Sequence, residues 1–335
     1  DAEWERLAPG LKTIEDAVRM RRRILLAFEA AERETDPERR RALMTFVIVG
    51  GGPTGVELAG ALGELATHTM REEFRAIDTA DAQINLIEGL DRILSAYPEE
   101  LSTTAAGSLR ELGVTVQTNK LVTEIADDYV LVKDTKTGEQ TLIPTYTVLW
   151  GAGVKASPLS EVLAHRAGAE LDGVGRVIVR PDLTIVNHPD IFVIGDLAHY
   201  AHQTGEPLPG VAQVAMQMGN YVADVLRRRR FDKEIKPFEY KDKGMLAVIG
   251  RNKAGADIGN LHFAGFPAWL IWVFVHINFL IEFDNKLKVM TQWGWNYLTR
   301  RQGARLITGE SSPVWMQLPI EREATVEKAG MKSDR

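Results

Sequence analysis

An apolar run, Phe46-Val47-Ile48-Val49, passes straight into Gly50-Gly51-Gly52-Pro53-Thr54-Gly55-Val56-Glu57 and then into a helical pattern. The order of buried strand, glycine turn and helix constrains the fold more than any other feature of the chain. Four consecutive apolar residues suit a parallel strand covered on both faces, and Leu58, Ala59, Ala61, Leu62 and Leu65 supply a packed helix face. Gly50 permits the tight turn, Gly52 allows backbone to approach a pyrophosphate, and Gly55 lets the helix close on the strand. The unpaired N–H groups at the helix start then face phosphate. A glycine turn in a ligand-free α/β unit is the rival reading, and the strict flanking pattern favours the dinucleotide site.

A second strand, Gln83-Ile84-Asn85-Leu86-Ile87, ends in Glu88, where a carboxylate would accept hydrogen bonds from an adenosine ribose. A negative charge there repels a 2′-phosphate, so NADH is expected rather than NADPH. The acid lies farther from the glycines than the usual spacing of roughly 20 residues. A long helix and an inserted connection between Gly55 and Gln83 must fill the difference. The alternative for Glu88 is a plain surface acid.

A chain of 335 residues, 45% of them hydrophobic, buries a large core and divides into two or three domains. Its net charge of −6 argues against a nucleic-acid binder, which would normally show a basic face. The absence of cysteine removes disulfide scaffolds, iron–sulfur clusters, thiolate zinc sites and any relay through a cysteine pair. The histidines show no His-x-x-x-His spacing, and His199 with His202 lies in a loop with no obvious carboxylate to complete a set, so no metal is expected. Arg227 to Arg230 reads as a solvated helix end favoured by the dipole, with a lipid-phosphate contact as the alternative. The first residues have neither the basic head nor the apolar run of a signal peptide, and no initiator methionine.

Residues 11–34 carry Ile14, Val18, Ile24, Leu25, Phe28 and Ala31 among charges, which predicts an amphipathic helix starting near Thr13. From Phe46 a unit of strand, turn, helix and second strand continues through a helix over Thr103–Leu112. Short strands follow at 114–117, 121–125, 129–133 and 141–143. It closes with Thr147-Val148-Leu149-Trp150 running into Gly151-Ala152-Gly153. Farther on, Ile191-Phe192-Val193-Ile194 reads as a buried strand entering Gly195-Asp196, with a helix from Val211 to about Leu226. Asp196 so placed suits a ribitol and a reduced flavin ring beside a helix N-terminus, or else belongs to an ordinary turn.

With these stretches in view, the chain resembles the type II NADH dehydrogenases, single-subunit flavin NADH:quinone reductases. The resemblance rests on Leu11–Ala17, Phe46–Gly60, Thr147–Ala156, His188–Asp196, Pro209–Gln217 and the aromatic segment ending at Leu306. The most specific parts are the Ala-Gln-x-Ala-x-Gln pattern from Ala212 to Gln217 and the C-terminal segment. It implies that Gly50, Gly52, Thr54, Gly55, Glu57, Glu88 and Gly153 serve NADH, and that Gly195, Asp196 and Ala212 serve FAD. Gln213, Met216 and Gln217 would lie where a quinone head docks, with Glu57 and Gln213 assisting quinone positioning or proton delivery. Glu57 has a second reading as a carboxylate serving the helix dipole. The family often has two alanines after the tryptophan, where this chain has Gly151 first. The family also carries a glycine fingerprint for the ADP half of FAD near its start, whereas the first 49 residues here contain only Gly10. The chain is therefore expected to lack an N-terminal part of the enzyme and to hold FAD weakly or not at all by itself.

Gly265 to Phe283 is nearly long enough to span a bilayer, but His276, Asn278 and Glu282 interrupt it. Trp269, Trp272, Trp293, Trp295 and Tyr297, with Lys286, Lys288, Arg300, Arg301 and Arg305, instead suit helices lying in the interface. A core or dimer helix and a true span are the alternatives.

The expected fold is α/β, a two-dinucleotide-binding flavoprotein in which a Rossmann-like NADH domain is inserted in an FAD domain, here incomplete, with C-terminal interfacial helices. The expected division is 1–45 as an FAD-domain remnant, 46–155 for NADH, 156–255 as the C-terminal part of the FAD domain, 256–310 at the membrane, and a polar tail over 311–335. The implied function is hydride transfer from NADH to FAD and electron transfer to a membrane quinone without proton pumping. The implied place is peripheral, at the cytoplasmic face of the membrane, contacting it through 265–305, with homodimerisation left open. A soluble NAD(P)H flavin reductase and a redox-inactive NADH-binding module are the rival functions.

Overall fold

A computed structural model describes residues 2–153, 156–230, 234–259, 261–280, 282–299 and 307. The predicted tail over 311–335 and Arg300, Arg301 and Arg305 lie outside the described residues. Contacts divide the chain into two compact units, Asp1–Ala152 with Met245–Arg335, and Gly153–Gly244.

The first unit begins with α1 (Ala2–Leu7), α2 (Ile14–Arg33) and α3 (Pro37–Leu43). Thr13 caps α2 in a reciprocal box with Asp16, and Met20, Ile24, Ala27, Phe28 and Ala31 recur at helical spacing on its buried face. Next come β1 (Thr45–Val49), α4 (Pro53–Glu64), β2 (Gln83–Ile87), α5 (Glu99–Glu111), β3 (Val114–Gln117) and β4 (Lys120–Ile125). The run ends with β5 (Tyr129–Asp134), β6 (Gln140–Pro144) and β7 (Thr147–Trp150). α5 starts four residues before its predicted limit because Glu99 and Glu100 suit the positive end of a helix.

The sheet order is β3-β2-β1-β7, all parallel, with Val49 opposite both Ile87 and Trp150. Glycine loop, Glu88 and Gly151 therefore leave the sheet at the same carboxyl edge, where open α/β sheets bind ligands. One face packs Phe46, Ile48, Ile84 and Leu86 against α2, α4 and α5. The other packs Val47, Val49 and Ile87 against Ile125, Val130 and Val132 of the antiparallel β4-β5-β6 sheet. Apolar residues fill both faces of β1 for this reason.

The second unit contains α6 (Leu159–Ala167), β8 (Val177–Ile178), β9 (Thr184–Ile185), β10 (His188–Phe192), β11 (Ala198–His199) and α7 (Ala212–Arg229). β10 pairs antiparallel with β9, and β8 pairs parallel with β11. The strand expected over 191–194 starts earlier and stops at Phe192, leaving Ile194 39% exposed. Burial of a strand needs neighbours, and β9 is the one neighbour of β10 among the described residues.

The chain then returns to the first unit as β12 (Met245–Gly250), β13 (Lys253–Ile258) and β14 (Leu261–Gly265), an antiparallel sheet, followed by α8 (Phe266–Phe279) and α9 (Phe283–Thr299). β12 packs on α4, with the Ile249 carbonyl lying where a Cβ on Gly60 would be. The apolar run is interrupted at Leu280, which is extended, and Glu282, at φ 66°. No helix among the described residues is long and apolar enough to cross a membrane.

Candidate functional site

The carboxyl edge of the parallel sheet carries the first cluster. Gly50 has φ 104°, and a Cβ there would meet Ala152 at 2.7 Å. Gly55 presses closer, its Cβ position only 1.8 Å from the Gly50 carbonyl oxygen. Gly52, the N-cap of α4, has nothing within 4 Å of its Cβ position and no side-chain cap. Two glycines thus close the turn and the third leaves open space over uncapped N–H groups. That combination fits a phosphate group, because charge-assisted bonds from backbone N–H need the ligand to reach the backbone itself. Thr54 is exposed on the first turn of α4.

Glu88, immediately after β2, turns back to this loop. Its Oε2 accepts from the Gly51 N–H at 2.5 Å and its Oε1 from the Leu90 N–H at 2.8 Å. The carboxylate braces the glycine loop while each oxygen keeps a lone pair. At Gly151 a Cβ would lie 3.1 Å from Gly55 Cα, so glycine there eases the approach of β7 to the loop. Gly153 follows with φ 65°.

Glu57 lies one turn farther along α4 and accepts from the Val248 N–H of β12 at 3.4 Å. Burial raises its carboxyl above the usual carboxylate range, and that one backbone bond only partly offsets the effect. It lines a cavity of about 950 Å³ within the first unit. Ala61, Glu64 and His68 follow on the same helix face, and Phe266, Trp269, Leu270, Trp272, Trp293 and Tyr297 of α8 and α9 form the opposite wall. His68 and Thr69 reach the wall because the chain widens into a π-turn over Leu65–Thr69, a distortion that sequence periodicity did not indicate. Stacked rings, Trp272 on Trp293 at 5.3 Å and Trp269 on Tyr297 at 5.2 Å, stiffen the aromatic wall.

A raised carboxyl binds its proton more tightly in the fold than in the unfolded chain, so stability falls as pH rises from the unfolded pKa through the folded one. Glu57→Gln removes that penalty. The variant is expected to melt above the parent near pH 8, with the gap closing near pH 4. Scanning calorimetry across that range checks it, and a gap independent of pH contradicts the assignment.

The second cluster belongs to the second unit. Gly195, with φ 65°, packs under α7, where a Cβ would meet Ala215 Cβ at 3.2 Å. Asp196 is exposed, has no hydrogen-bond partner among the described residues, and holds Oδ1 about 3.4 Å from the Cβ position of Gly210. Ala212 opens α7, whose N-cap Val211 supplies no side-chain cap. A free carboxylate beside uncapped helix N–H groups fits a group bearing both hydroxyls and developing negative charge, as a flavin does. Gln213 and Gln217 point to the backbone of residues 241–244. Met216 is 47% exposed on the same turn.

His199 and His202 are accounted for without a metal. The carboxylate that the local sequence did not show is Asp172, whose Oδ2 takes both His199 Nδ1 and Arg176 Nε at 2.8 Å. His202 Nε2 instead lies 2.7 Å from the Val179 carbonyl. No group able to hold a metal ion occurs among the described residues. Arg228 pairs with Asp224, and Arg229 lies over the Phe192 ring and donates to the Pro189 carbonyl, so both pair locally at the end of α7.

A parallel sheet ending in a glycine cradle, followed by a carboxylate at a second uncapped helix, defines a nucleotide-dependent oxidoreductase. The chain matches the family Pyridine nucleotide-disulphide oxidoreductase over residues 6–219. It is 41% identical over 326 residues to the type II NADH:quinone oxidoreductase Ndh of Mycobacterium tuberculosis, covering 96% of this chain and 69% of that protein. To NdhA of the same organism it is 39% identical, covering 92% of this chain and 65% of that protein. It thus spans about two thirds of the length of these relatives. A solved structure of NDH2 from Plasmodium falciparum in complex with NADH shares the fold, with TM-score 0.79 at 17% identity over 91% of this chain and 76% of that one. The chain belongs to the type II NADH:quinone oxidoreductases. The 335 residues contain no cysteine, so none of them forms a disulphide.

Proposed function

We propose that this protein oxidises NADH and reduces a membrane quinone, using FAD and without moving protons across the membrane. The observation that carries the reading is the double use of α4. Its uncapped start sits in the glycine cradle, and its side, from Glu57 onward, walls an apolar cavity. One helix thereby serves an anionic, water-borne donor and an apolar acceptor.

Residues 46–155 serve NADH, with Gly50, Gly52, Thr54 and Gly55 admitting the pyrophosphate and Gly153 closing the same edge. Glu88 accepts from the ribose hydroxyls. Residues 156–255 serve FAD, where Gly195 allows the close turn, Asp196 receives hydroxyl groups and the Ala212 N–H faces negative charge. FAD held by these residues would supply the redox chemistry, accepting a hydride from NADH and passing two electrons and a proton to the quinone, which takes its second proton from an acid or from water. Glu57, whose burial favours the protonated carboxyl, is the group in the cavity wall that would hand a proton to an acceptor ring. Gln213, Met216 and Gln217 are the α7 residues that meet the quinone head.

Exposed apolar side chains on the last helices support membrane docking. Phe274 is 73% exposed, Phe283 77% and Leu298 79%. Residues 256–310 lie in the interface, with Lys286 and Lys288 toward lipid phosphate at the cytoplasmic face. A soluble reductase has no use for this surface. Flotation with anionic vesicles is expected and a homodimer free in solution is the other outcome.

Stopped-flow absorbance on the FAD-loaded full-length protein tests the chemistry. NADH is expected to bleach the flavin band, and a soluble quinone to restore it. Bleaching without restoration by any quinone overturns the acceptor assignment, and absence of bleaching overturns the donor.

A further inference from the structure

Residues 234–244, between α7 and β12, join no helix or sheet. Side chains, with one main-chain bond, hold this backbone instead. Tyr221 Oη donates to the Lys236 carbonyl at 2.6 Å, Tyr200 Oη donates to the Phe238 carbonyl, and the Phe238 N–H donates to the Pro181 carbonyl at 2.8 Å. From Tyr240 onward three glutamines take over. Gln203 accepts from the Tyr240 N–H at 2.9 Å and donates to the Tyr240 carbonyl at 3.0 Å. Gln217 does the same to Lys241, at 3.0 and 2.9 Å. Gln213 accepts from the Lys243 N–H at 3.2 Å and donates to the Gly244 carbonyl at 2.8 Å.

A primary amide presents an N–H and its oxygen side by side, as the N–H and C=O of one residue do in an antiparallel pair, so Gln203 and Gln217 each stand in for one hydrogen-bonded pair of a β-ladder, while Gln213 spans two successive residues. We infer that Gln203, Gln213 and Gln217 form an amide ladder that latches residues 240–244 over the start of α7, with Gln203 a positioning residue for the acceptor side of the site. This rests on the quinone-reductase reading. Gln203 lies outside α7, and its hydrogen bonds among the described residues lead to α7 by way of Tyr240 and Lys241. With both ends of the Gln213 and Gln217 amides tied to the strap, its placement decides where those side chains point. Charged or titratable groups next to the ladder in the chain include Glu239, Lys241, Asp242, Lys243 and His202. Asp242 accepts from the Gly244 N–H at 2.8 Å and from Tyr240 Oη at 3.4 Å.

Glutamate makes the test, because a carboxylate accepts from an N–H but offers no donor to a carbonyl, whereas the protonated acid does both. In the FAD-loaded full-length protein, Gln203→Glu is expected to raise the quinone KM about fivefold near pH 8, a single lost bond. Bleaching by NADH stays unchanged, and the KM returns to within about twofold of the parent near pH 4 as the acid protonates. A variant whose pH profile parallels the parent's, or that loses bleaching and quinone reduction together, overturns the positioning role.

Amide hydrogen exchange tests the ladder without turnover. The Tyr240, Lys241 and Lys243 amides of the parent are expected to exchange at least about tenfold more slowly than Asp242, whose N–H has no partner among the described residues. Uniform exchange across 240–243 overturns the ladder. A parent that bleaches with NADH and is restored by no quinone defeats the functional reading, while the exchange pattern still decides the ladder.

Discussion

Alanine at Gly60 is expected to lower the thermal midpoint by roughly 2–6 °C, the cost of forcing two packed backbones apart in a chain of this size. The added methyl would lie 1.6 Å from the Ile249 carbonyl oxygen, which belongs to β12 and cannot swing aside as a side-chain tip would. Gly55→Ala meets the Gly50 carbonyl at 1.8 Å and is expected to match it. The two differ in what moves. At Gly60 the helix must leave β12, which widens the cavity beside Glu57, whereas at Gly55 the glycine loop itself is displaced. Differential scanning calorimetry with and without NADH separates them. Gly60→Ala should keep its stabilisation by NADH and Gly55→Ala should lose it. Midpoints within a degree of the parent would mean that α4 does not approach its neighbours this closely.

Aspartate at Gly52 is expected to act in opposite directions on stability and on binding. Gly52 holds the N-cap of α4 at φ −72° and ψ 179°, a conformation aspartate adopts readily, and space surrounds its Cβ position. The new carboxylate would cap N–H groups that now have no side-chain partner and would face the positive end of the helix, a gain of a few tenths of a kcal/mol over glycine. The same carboxylate would occupy the phosphate position with the wrong charge. Losing two charge-assisted bonds at about 1.5 kcal/mol each weakens NADH at least about a hundredfold. NADH titration by fluorescence, read beside the melting curve, checks both signs. Unchanged NADH affinity in a folded Gly52→Asp protein would move the pyrophosphate away from this loop.

How much was legible in the sequence depended on how local the signal was. The span of α2 followed from apolar spacing and from Thr13 with Asp16, and β1, β2, β3 and β7 matched their apolar runs to within a residue. Those signals lie within a few residues of what they specify. The strand expected at 191–194 shifted because burial of a short apolar run depends on which strands lie beside it. The apolar stretch of 265–283 turned out as α8 and the beginning of α9, since Leu280 and Glu282 leave the helical conformation between them.

The glycine loop and the acid at the end of β2 were determined by the sequence alone, because a turn that admits phosphate requires particular residue types at fixed offsets along one strand and helix. Chain order could not decide the rest. That Glu88 braces Gly51, that Asp172 meets His199 from 27 residues upstream, and that Glu57 opens onto aromatic side chains of α8 and α9 all join residues distant in sequence. The same holds for Gln203, Gln213 and Gln217 on one strap. A side-chain amide carries no periodic signature, and its choice of partner is made only when packing brings an unpaired backbone within reach.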